Sequence, residues 1–226
     1  MLVFHCHYKL FFISLFIISF FLNLSAFSQK SIYLGIKVGI SQSNINLHNN
    51  FFPTIIETSN FNSYNFSVVS EFTNEKNVGI RIEFNNIQRG YFQNFSSGNK
   101  LYSKLNYIQL PFLLQYYFLK KKNNFYINIG PYFEYLIKYN NQEIPPNINS
   151  EDVYFFNEDR DKKYGYGLKL SIGFSNLIRN NNIQLECSYI YNFSNLITTE
   201  SKSELLPDVS NISSLSLSMF YLFNIK

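Results

Sequence analysis

The amino-acid sequence predicts an all-β protein, specifically an eight-stranded antiparallel up-and-down transmembrane β-barrel. Three observations carry this prediction: eight segments with period-two alternation, connections that alternate between short and long, and an aromatic composition that favours strands. Of the 226 residues, 46% are hydrophobic, 19% are aromatic and only 15% are charged, which excludes a disordered chain. The net charge of +4 is spread along the chain, so we expect no nucleic-acid partner.

The N-terminal segment is expected to lie outside the barrel. Lys9 precedes an uninterrupted apolar run over residues 10–22, and Ala26-Phe27-Ser28 places small residues at the positions that a signal peptidase reads. This pattern predicts a cleaved signal peptide over residues 1–28 and a barrel domain over residues 29–226. The apolar run is shorter than the ~20 residues that cross a bilayer as a helix, which disfavours a transmembrane anchor.

Each predicted strand rests on its own alternation. The first four segments cover residues 34–41, 64–72, 78–85 and 107–118, and the last four cover residues 125–135, 165–174, 184–191 and 214–223. The third is the most regular, since Val78, Ile80, Ile82 and Phe84 occupy every second position. Pro111 interrupts the fourth, so we expect a bulge or a local loss of pairing there.

The connections support an up-and-down barrel in an outer membrane. Segments two and three, four and five, and six and seven are joined by short polar links at residues 73–77, 120–124 and 176–182. The other links are long, and the longest runs over residues 138–163. In outer-membrane barrels the short turns face the periplasm and the long loops face the exterior. We therefore expect the same arrangement here.

The more polar face of the strands carries charges of both signs. An eight-stranded lumen is just wide enough to be filled by side chains, so these charges are predicted to pair with one another inside it. The predicted luminal polar network consists of Lys37, Glu71, Arg81, Glu83, Glu134, Lys169 and Glu186.

A soluble, exported, lipocalin-like binding barrel would show the same alternation with its apolar face enclosed. The aromatic side chains near the strand ends argue for lipid contact instead, because they resemble the aromatic girdles of membrane barrels. These residues are Tyr64, Tyr116, Phe118, Phe125, Tyr135, Tyr166, Tyr191, Tyr221 and Phe223.

Four runs of the sequence resemble the PorT-like outer-membrane β-barrel family. They are LNYIQLPFLLQYYF (105–118), FYINIGPYFEYLIK (125–138), YGYGLKLSIGFS (164–175) and LECSYIYNFSNL (185–196). In that family a strand with a Leu-Pro step precedes a strand with a Gly-Pro-Tyr step, as Leu110-Pro111 precedes Gly130-Pro131-Tyr132 here. The resemblance implies an integral outer-membrane protein of Gram-negative bacteria, described as porin-like, and a link to type IX protein secretion.

The sequence offers no candidate catalytic, metal or cofactor site. His48 is isolated, and Cys187 lies on the apolar face, where a thiolate would be unfavourable. A cluster of acidic residues in the longest link could bind a hard cation such as calcium, but interspersed basic residues favour a self-paired, solvated loop. The acidic residues are Glu151, Asp152, Glu158, Asp159 and Asp161, and the basic residues are Arg160, Lys162 and Lys163.

We therefore expect a non-enzymatic outer-membrane protein that acts as a structural or interaction protein through its long loops. The expected partners are outer-membrane lipid and envelope or secretion-machinery proteins, and the barrel is expected to be a monomer. Two alternatives stay open at this point: a small passive porin-like channel, which requires a hydrated lumen, and the soluble lipocalin-like barrel.

Overall fold

The computed structural model describes residues 29–48, 57–74, 77–94, 100–118, 122–144, 156–198 and 208–225. The predicted signal peptide over residues 1–28 lies outside these ranges. Among the described residues, no helix is long and apolar enough to cross a membrane.

The described residues form a closed antiparallel barrel in which every strand pairs with its two neighbours along the chain and β8 pairs with β1. The strands are β1 (Gln29–His48), β2 (Thr58–Asn74), β3 (Val78–Asn94), β4 (Lys100–Tyr117), β5 (Asn123–Ile144), β6 (Tyr164–Ile178), β7 (Asn181–Asn192) and β8 (Val209–Asn224). The predicted fold class is confirmed. Closure leaves no strand with an unpaired edge, which is the condition for a sheet to cross hydrocarbon.

The short connections gather at one end of the barrel, which we call the turn end. There β2 joins β3 at residues 75–77, β4 joins β5 at residues 118–122, and β6 joins β7 at Arg179 and Asn180. Asn77 and Arg179 adopt the left-handed conformation with φ of 64° and 57°, as tight turns require. The connections at the opposite end, the loop end, run over residues 49–57, 95–99, 145–163 and 193–208. The link over residues 95–99 was predicted to be long but is as short as the β4–β5 turn, because β3 and β4 both extend beyond the predicted segments.

The apolar face of the strands lies on the outside of the barrel. On β1 the outward side chains of Leu34, Ile36, Val38 and Ile40 are 41–57% exposed, whereas the intervening Lys37 is only 4% exposed. The girdle aromatics also lie outside, with Tyr64 79% exposed. A soluble lipocalin-like barrel would enclose these side chains, so that interpretation of the sequence is wrong. We call this outer surface the apolar band.

Toward the loop end the polar and apolar residues exchange faces, although the strand positions that point inward stay the same. Beyond Ile40 the outward positions of β1 become Gln42, Asn44 and Asn46, while the inward positions become Ile45 and Leu47. The same switch occurs on β2 to β5, where polar outward residues replace apolar ones. We call this outer surface the polar collar: Gln42, Asn44, Asn46, Asn60, Asn62, Asn86, Gln88, Lys104, Asn106, Lys138 and Asn140.

The reversal explains why the strands are longer than the predicted segments. A tilted strand crosses a bilayer in 9–11 residues, whereas β1 has 20 residues and β5 has 22. The additional residues of these strands carry the polar collar, with a soluble-type core behind it. The barrel thus has an apolar exterior and a polar lumen over its apolar band. Near the loop end it has a polar exterior and a largely apolar core.

Pro111 causes a local loss of pairing, which is one of the two outcomes that the sequence predicted. The pairing of β3 with β4 is interrupted around Leu110 and Pro111 but resumes in the same register, so there is no bulge at the proline. The register shift in this part of the sheet lies between Asn106 and Tyr107 on β4, opposite β5 residues Leu136 and Lys138. This bulge leaves Ile137 and Lys138 both exposed.

Glycines on β6 make room for luminal tyrosines on β5. Tyr126 lies opposite Gly173 and Tyr132 lies opposite Gly167 in the ladder. A Cβ atom at Gly173 would overlap the Tyr126 ring, and one at Gly167 would overlap the Tyr132 ring. The large and small residues therefore complement each other across the two strands, which is how a narrow lumen is filled.

Substitution of Ile82 by arginine tests the assignment of the two faces. Ile82 lies midway along the outward apolar series of β3, so Ile82→Arg should lower the unfolding free energy in lipid by about 2–4 kcal/mol. The inward Ser171→Thr is the control and should have a small effect. Since the chain has no tryptophan, unfolding is followed by circular dichroism and heat-modifiable gel mobility. Equal losses for the two variants would contradict the assignment.

Candidate functional site in the barrel lumen

The first luminal cluster is centred on Arg81 of β3. Its Nη1 donates to Glu186 Oε2 of β7 at 2.6 Å, and its Nη2 and Nε donate to Glu71 Oε2 of β2 at 2.8 and 3.2 Å. Nη2 also donates to the Gln184 side chain. Arg81 and Glu71 are fully buried. A guanidinium with this fork of donors can join two walls of the barrel at once.

Glu83 extends this cluster to two more strands. Its carboxylate accepts from Lys37 Nζ of β1 at 3.0 Å and from Lys169 Nζ of β6 at 2.8 and 2.9 Å. Lys169 Nζ also lies 3.4 Å from Glu186 Oε1, which connects the lysine pairs to the Arg81 pairs. This lower ion-pair cluster therefore contains three cations and three anions: Lys37, Arg81, Lys169, Glu71, Glu83 and Glu186.

Neutral side chains complete the lower cluster. The Arg81 guanidinium lies over the Tyr126 and Phe220 rings, 5.0 and 4.8 Å from their centroids. Tyr126 and Asn128 donate to Glu186 Oε2 at 3.2 and 3.0 Å. Such contacts satisfy buried carboxylates and stabilise the cation by its position over aromatic faces.

Glu134, the seventh residue of the predicted set, lies in a separate upper ion-pair cluster. Its carboxylate is 3.1 Å from Arg89 Nη1 and accepts from Asn192 Nδ2 at 2.7 Å and from Gln109 Nε2 at 3.2 Å. Arg89 lies eight residues beyond Arg81 on β3 and is fully buried. The upper cluster is therefore nearer the loop end.

Arg89 is the residue that the sequence analysis missed. The predicted set contained three positive and four negative groups, and a closed lumen of low dielectric does not tolerate the unpaired charge. Arg89 supplies the fourth cation. Extension of the β3 alternation through Arg81, Glu83, Asn85 and Ile87 reaches Arg89 in the same phase, so the period and the charge imbalance together could have identified it.

Apolar layers lie on either side of the ion pairs. Toward the turn end, Tyr33, Val69, Phe220 and Leu222 form a small buried cluster. Toward the loop end, a larger cluster forms the upper apolar core. Its members are Ile45, Leu47, Ile87, Tyr91, Leu105, Tyr107, Tyr132, Leu136, Phe156, Ile190, Leu196, Ile197 and Ile212.

Two loop segments are fixed over the loop end of the lumen. Phe156, Leu196 and Ile197 belong to the upper apolar core although they lie outside the strands. Asp161 holds the two segments together, because its carboxylate accepts from the Asn157 and Thr198 backbone N–H groups, both at 2.8 Å. The described part of the β5–β6 connection therefore packs on the barrel.

Two pairs of charged residues form in the described part of this loop, as the sequence suggested, whereas Glu151 and Asp152 lie outside the described ranges. Arg160 donates to both Asp161 oxygens at 2.8 Å, and this hydrogen bonding raises the pKa of the Arg160 guanidinium. Lys163 donates to Glu158, which lowers the pKa of the Glu158 carboxyl and raises the pKa of Lys163. Within the described ranges, no group of three or more His, Cys, Asp or Glu side chains could hold a metal ion.

The charged side chains of the described lumen therefore serve to stabilise the barrel. Each of its four carboxylates, Glu71, Glu83, Glu134 and Glu186, contacts a cation. Cys187 lies on the exposed outer wall. A closed barrel with an apolar exterior and an ion-paired interior defines an integral outer-membrane β-barrel protein.

Comparison with known families agrees with this class. The model of the family described as outer membrane protein beta-barrel domain matches residues 27–198, and the chain belongs to that family. It is accordingly an integral protein of the outer membrane. The match is to this family in general, and the narrower PorT-like resemblance stays a prediction from the sequence. No curated protein matches the chain.

Solved structures share the fold. The chain is similar to the outer membrane protein OprG from Pseudomonas aeruginosa, with a TM-score of 0.54, 11% identity, and coverage of 87% of this chain and 97% of OprG. It is also similar to the outer membrane protein AlkL, solved in lipid bilayers, with a TM-score of 0.50, 11% identity, and coverage of 88% and 92%. At this identity the likeness concerns the fold alone.

Removal of the Arg81 guanidinium should be strongly destabilising. Arg81→Met leaves Glu71 and Glu186 buried without their principal cation, so we expect a loss of about 3–5 kcal/mol in unfolding free energy. Urea titration in lipid vesicles, followed by circular dichroism, measures it.

The matched control is the double variant Arg81→Met/Glu71→Gln. It removes one cation and one anion, so the lower ion-pair cluster keeps equal numbers of positive and negative groups, and Glu186 still lies 3.4 Å from Lys169. This variant should recover most of the lost stability. If the single and double variants were equally unstable, the destabilisation would come from lost packing and not from unpaired charge.

Proposed function

We propose that this protein is a non-conducting outer-membrane barrel that presents a fixed extracellular surface to an envelope or extracellular protein. The observation that carries the proposal is the lumen, in which two ion-pair clusters and two apolar layers occupy the axis of the barrel. A barrel with this interior serves as an anchor, and its interactions take place outside.

The filled lumen argues against the alternative of a passive porin-like channel. Conduction requires a continuous hydrated path. Here Tyr107, Tyr126 and Tyr132 are at most 4% exposed and lie among the ion pairs. The charges that would attract an ion are already engaged with charges on other strands. Opening a path would break pairs that are costly to separate in a buried environment.

The loop end offers a defined surface for recognition. Phe156 and Asp161 fix one loop to the barrel, and Leu196 and Ile197 fix another. Exposed side chains of the first loop, including Asn157, Glu158 and Asp159, project from this support. A rigid support lowers the entropic cost of binding through such a loop.

The orientation and the state of assembly belong to the same proposal. By analogy with other outer-membrane barrels, the turn end faces the periplasm and the loop end faces the exterior. A monomer is sufficient because every strand is paired within the closed sheet. The type IX secretion link rests on the PorT-like resemblance alone, since no described residue supports it, and it is not part of the proposed function.

Planar-bilayer recording tests the closed lumen. The refolded protein should give no stepwise conductance under an applied voltage, while a general porin reconstituted in the same bilayers provides the positive control. Reproducible unitary openings that scale with the amount of protein would favour the channel instead.

Cysteine labelling on intact cells tests the orientation. In a Cys187→Ser background, Asp159→Cys places a thiol on the loop end and Asn180→Cys places one in a turn, and both positions are exposed. A membrane-impermeant maleimide should label position 159 on intact cells and position 180 only after the outer membrane is permeabilised. The opposite pattern would reverse the proposed orientation.

The same thiol at position 159 allows a direct search for the partner. A cleavable crosslinker attached there should trap one discrete protein in intact envelopes, whereas attachment at position 180 should not trap that protein. Identical products from both positions would count against recognition at the loop end.

A further inference from the structure

We propose that Lys104 and Lys138, with Asn106 and Asn140, form a binding site for the phosphate groups of the glycolipid in the outer leaflet. The site lies on the outer wall of β4 and β5, where the polar collar meets the apolar band. Its four polar residues belong to the strands, and among the lining residues Tyr139 contacts the β5–β6 loop through Phe156. Its assignment to the outer leaflet rests on the orientation proposed above.

The β4–β5 ladder brings the four side chains together. Lys104 lies opposite Asn140, and Asn106 lies opposite Lys138. Opposite residues of an antiparallel pair project from the same face, and diagonal neighbours lie within reach of long side chains. The two lysines are diagonal neighbours, so both ammonium groups can approach a single anion.

A groove separates the two lysines on the barrel surface. It has a volume of about 120 Å³ and is lined by Lys104, Asn106, Lys138, Tyr139 and Asn140. This space is large enough for a phosphate group, and both lysines line it. Four of the five lining side chains carry N–H donors, which suits an oxygen-rich anion.

The hydrogen bonding of Asn106 orients it toward an acceptor. Its Oδ1 accepts from Gln88 Nε2 at 2.9 Å. The carbonyl of the amide is thereby engaged on the β3 side, and the Nδ2 group is the donor that Asn106 can offer in the groove that it lines. The neighbouring strand thus helps to present a donor to the groove.

These lysines differ from Lys37, Lys163 and Lys169 in their electrostatic surroundings. Lys37 and Lys169 pair with Glu83 in the lumen, and Lys163 pairs with Glu158 in the loop. By contrast, the outward-facing described positions of β3, β4 and β5 in the polar collar contain no carboxylate. The Glu158 carboxylate of the β5–β6 loop contacts the groove-lining Tyr139 but is paired with Lys163. Two cations therefore line the groove, and an external anion would complement them.

The depth of the site in the bilayer selects a lipid anion. Ile137 is 52% exposed on the apolar band, and Lys138 follows it directly. Because the bulge at this point leaves both side chains exposed, the ammonium group lies at the boundary between hydrocarbon and polar headgroups. Lipid phosphates occupy this depth, and lysines near an anionic membrane surface are attracted to them.

Lipid binding to the refolded protein in maltoside micelles tests the site, with native mass spectrometry as the readout. The probes are bis-phosphorylated lipid A, dephosphorylated lipid A and inorganic phosphate. We expect saturable binding of the phosphorylated lipid, and at least about 10-fold weaker binding in Lys104→Gln/Lys138→Gln because two cation contacts are lost.

The control is Lys122→Gln/Arg179→Asn, which removes the same two positive charges from the turn end. Asparagine tolerates the left-handed conformation of Arg179. This variant should bind the phosphorylated lipid as the unmodified protein does. Circular dichroism and heat-modifiable mobility establish that each variant is folded before binding is measured.

Three results would overturn the proposal. Equal binding of phosphorylated and dephosphorylated lipid would show recognition of acyl chains, and equal losses in the two double variants would show a general effect of net charge. Full competition by millimolar inorganic phosphate would indicate a free-anion site. The micelle assay is independent of orientation, so a reversed barrel would be detected by the cysteine labelling and not by this experiment.

Discussion

The structure depends on one constraint, which is that hydrocarbon offers the backbone no hydrogen-bond partner. The strands satisfy it by closing into a ring in which β8 returns to β1. Closure with eight strands then creates a second constraint, because the lumen is too narrow for extensive hydration. Charged side chains that alternate inward must therefore find partners on other strands, and the ion-pair clusters follow from the geometry of the closed sheet.

The ion pairs perform a task that the ladder of backbone bonds cannot. Backbone hydrogen bonds join only neighbouring strands, whereas the Arg81–Glu186 pair joins β3 to β7 across the ring. Glu83 joins β3 to β1 and β6, and Arg89 joins β3 to β5. With three charged luminal residues, β3 connects opposite walls of the barrel. Pairs of this kind are selective because a shifted register would leave a buried charge without a partner.

The sequence was sufficient for the strand number, the faces and the class of membrane, because period-two alternation within the band is strong. It was insufficient for the strand ends. Near Ile40 the outer surroundings change from lipid to water, and the polar and apolar positions exchange faces between Ser41 and Ile45. A strand in which apolar residues change from even to odd positions does not fit a single period-two pattern, so its end resembles a loop in the sequence. For the same reason Arg89 fell outside the predicted third strand, and the separation of Glu134 from Arg81 depends on the stagger of the strands, which sequence does not display.

The same reversal separates the polar groups that stabilise the barrel from those that face its surroundings. Over the apolar band the charged side chains face the lumen and pair with one another, so they are not available to bind a ligand. In the polar collar several inward positions are apolar, such as Ile45, Ile87 and Leu105, and polar groups also turn outward. Lys104 and Lys138 belong to that second regime, as do the loops fixed by Phe156 and Asp161. The proposed recognition therefore takes place at or beyond the boundary where the alternation changes phase, because polar groups begin to face outward from the strand walls there.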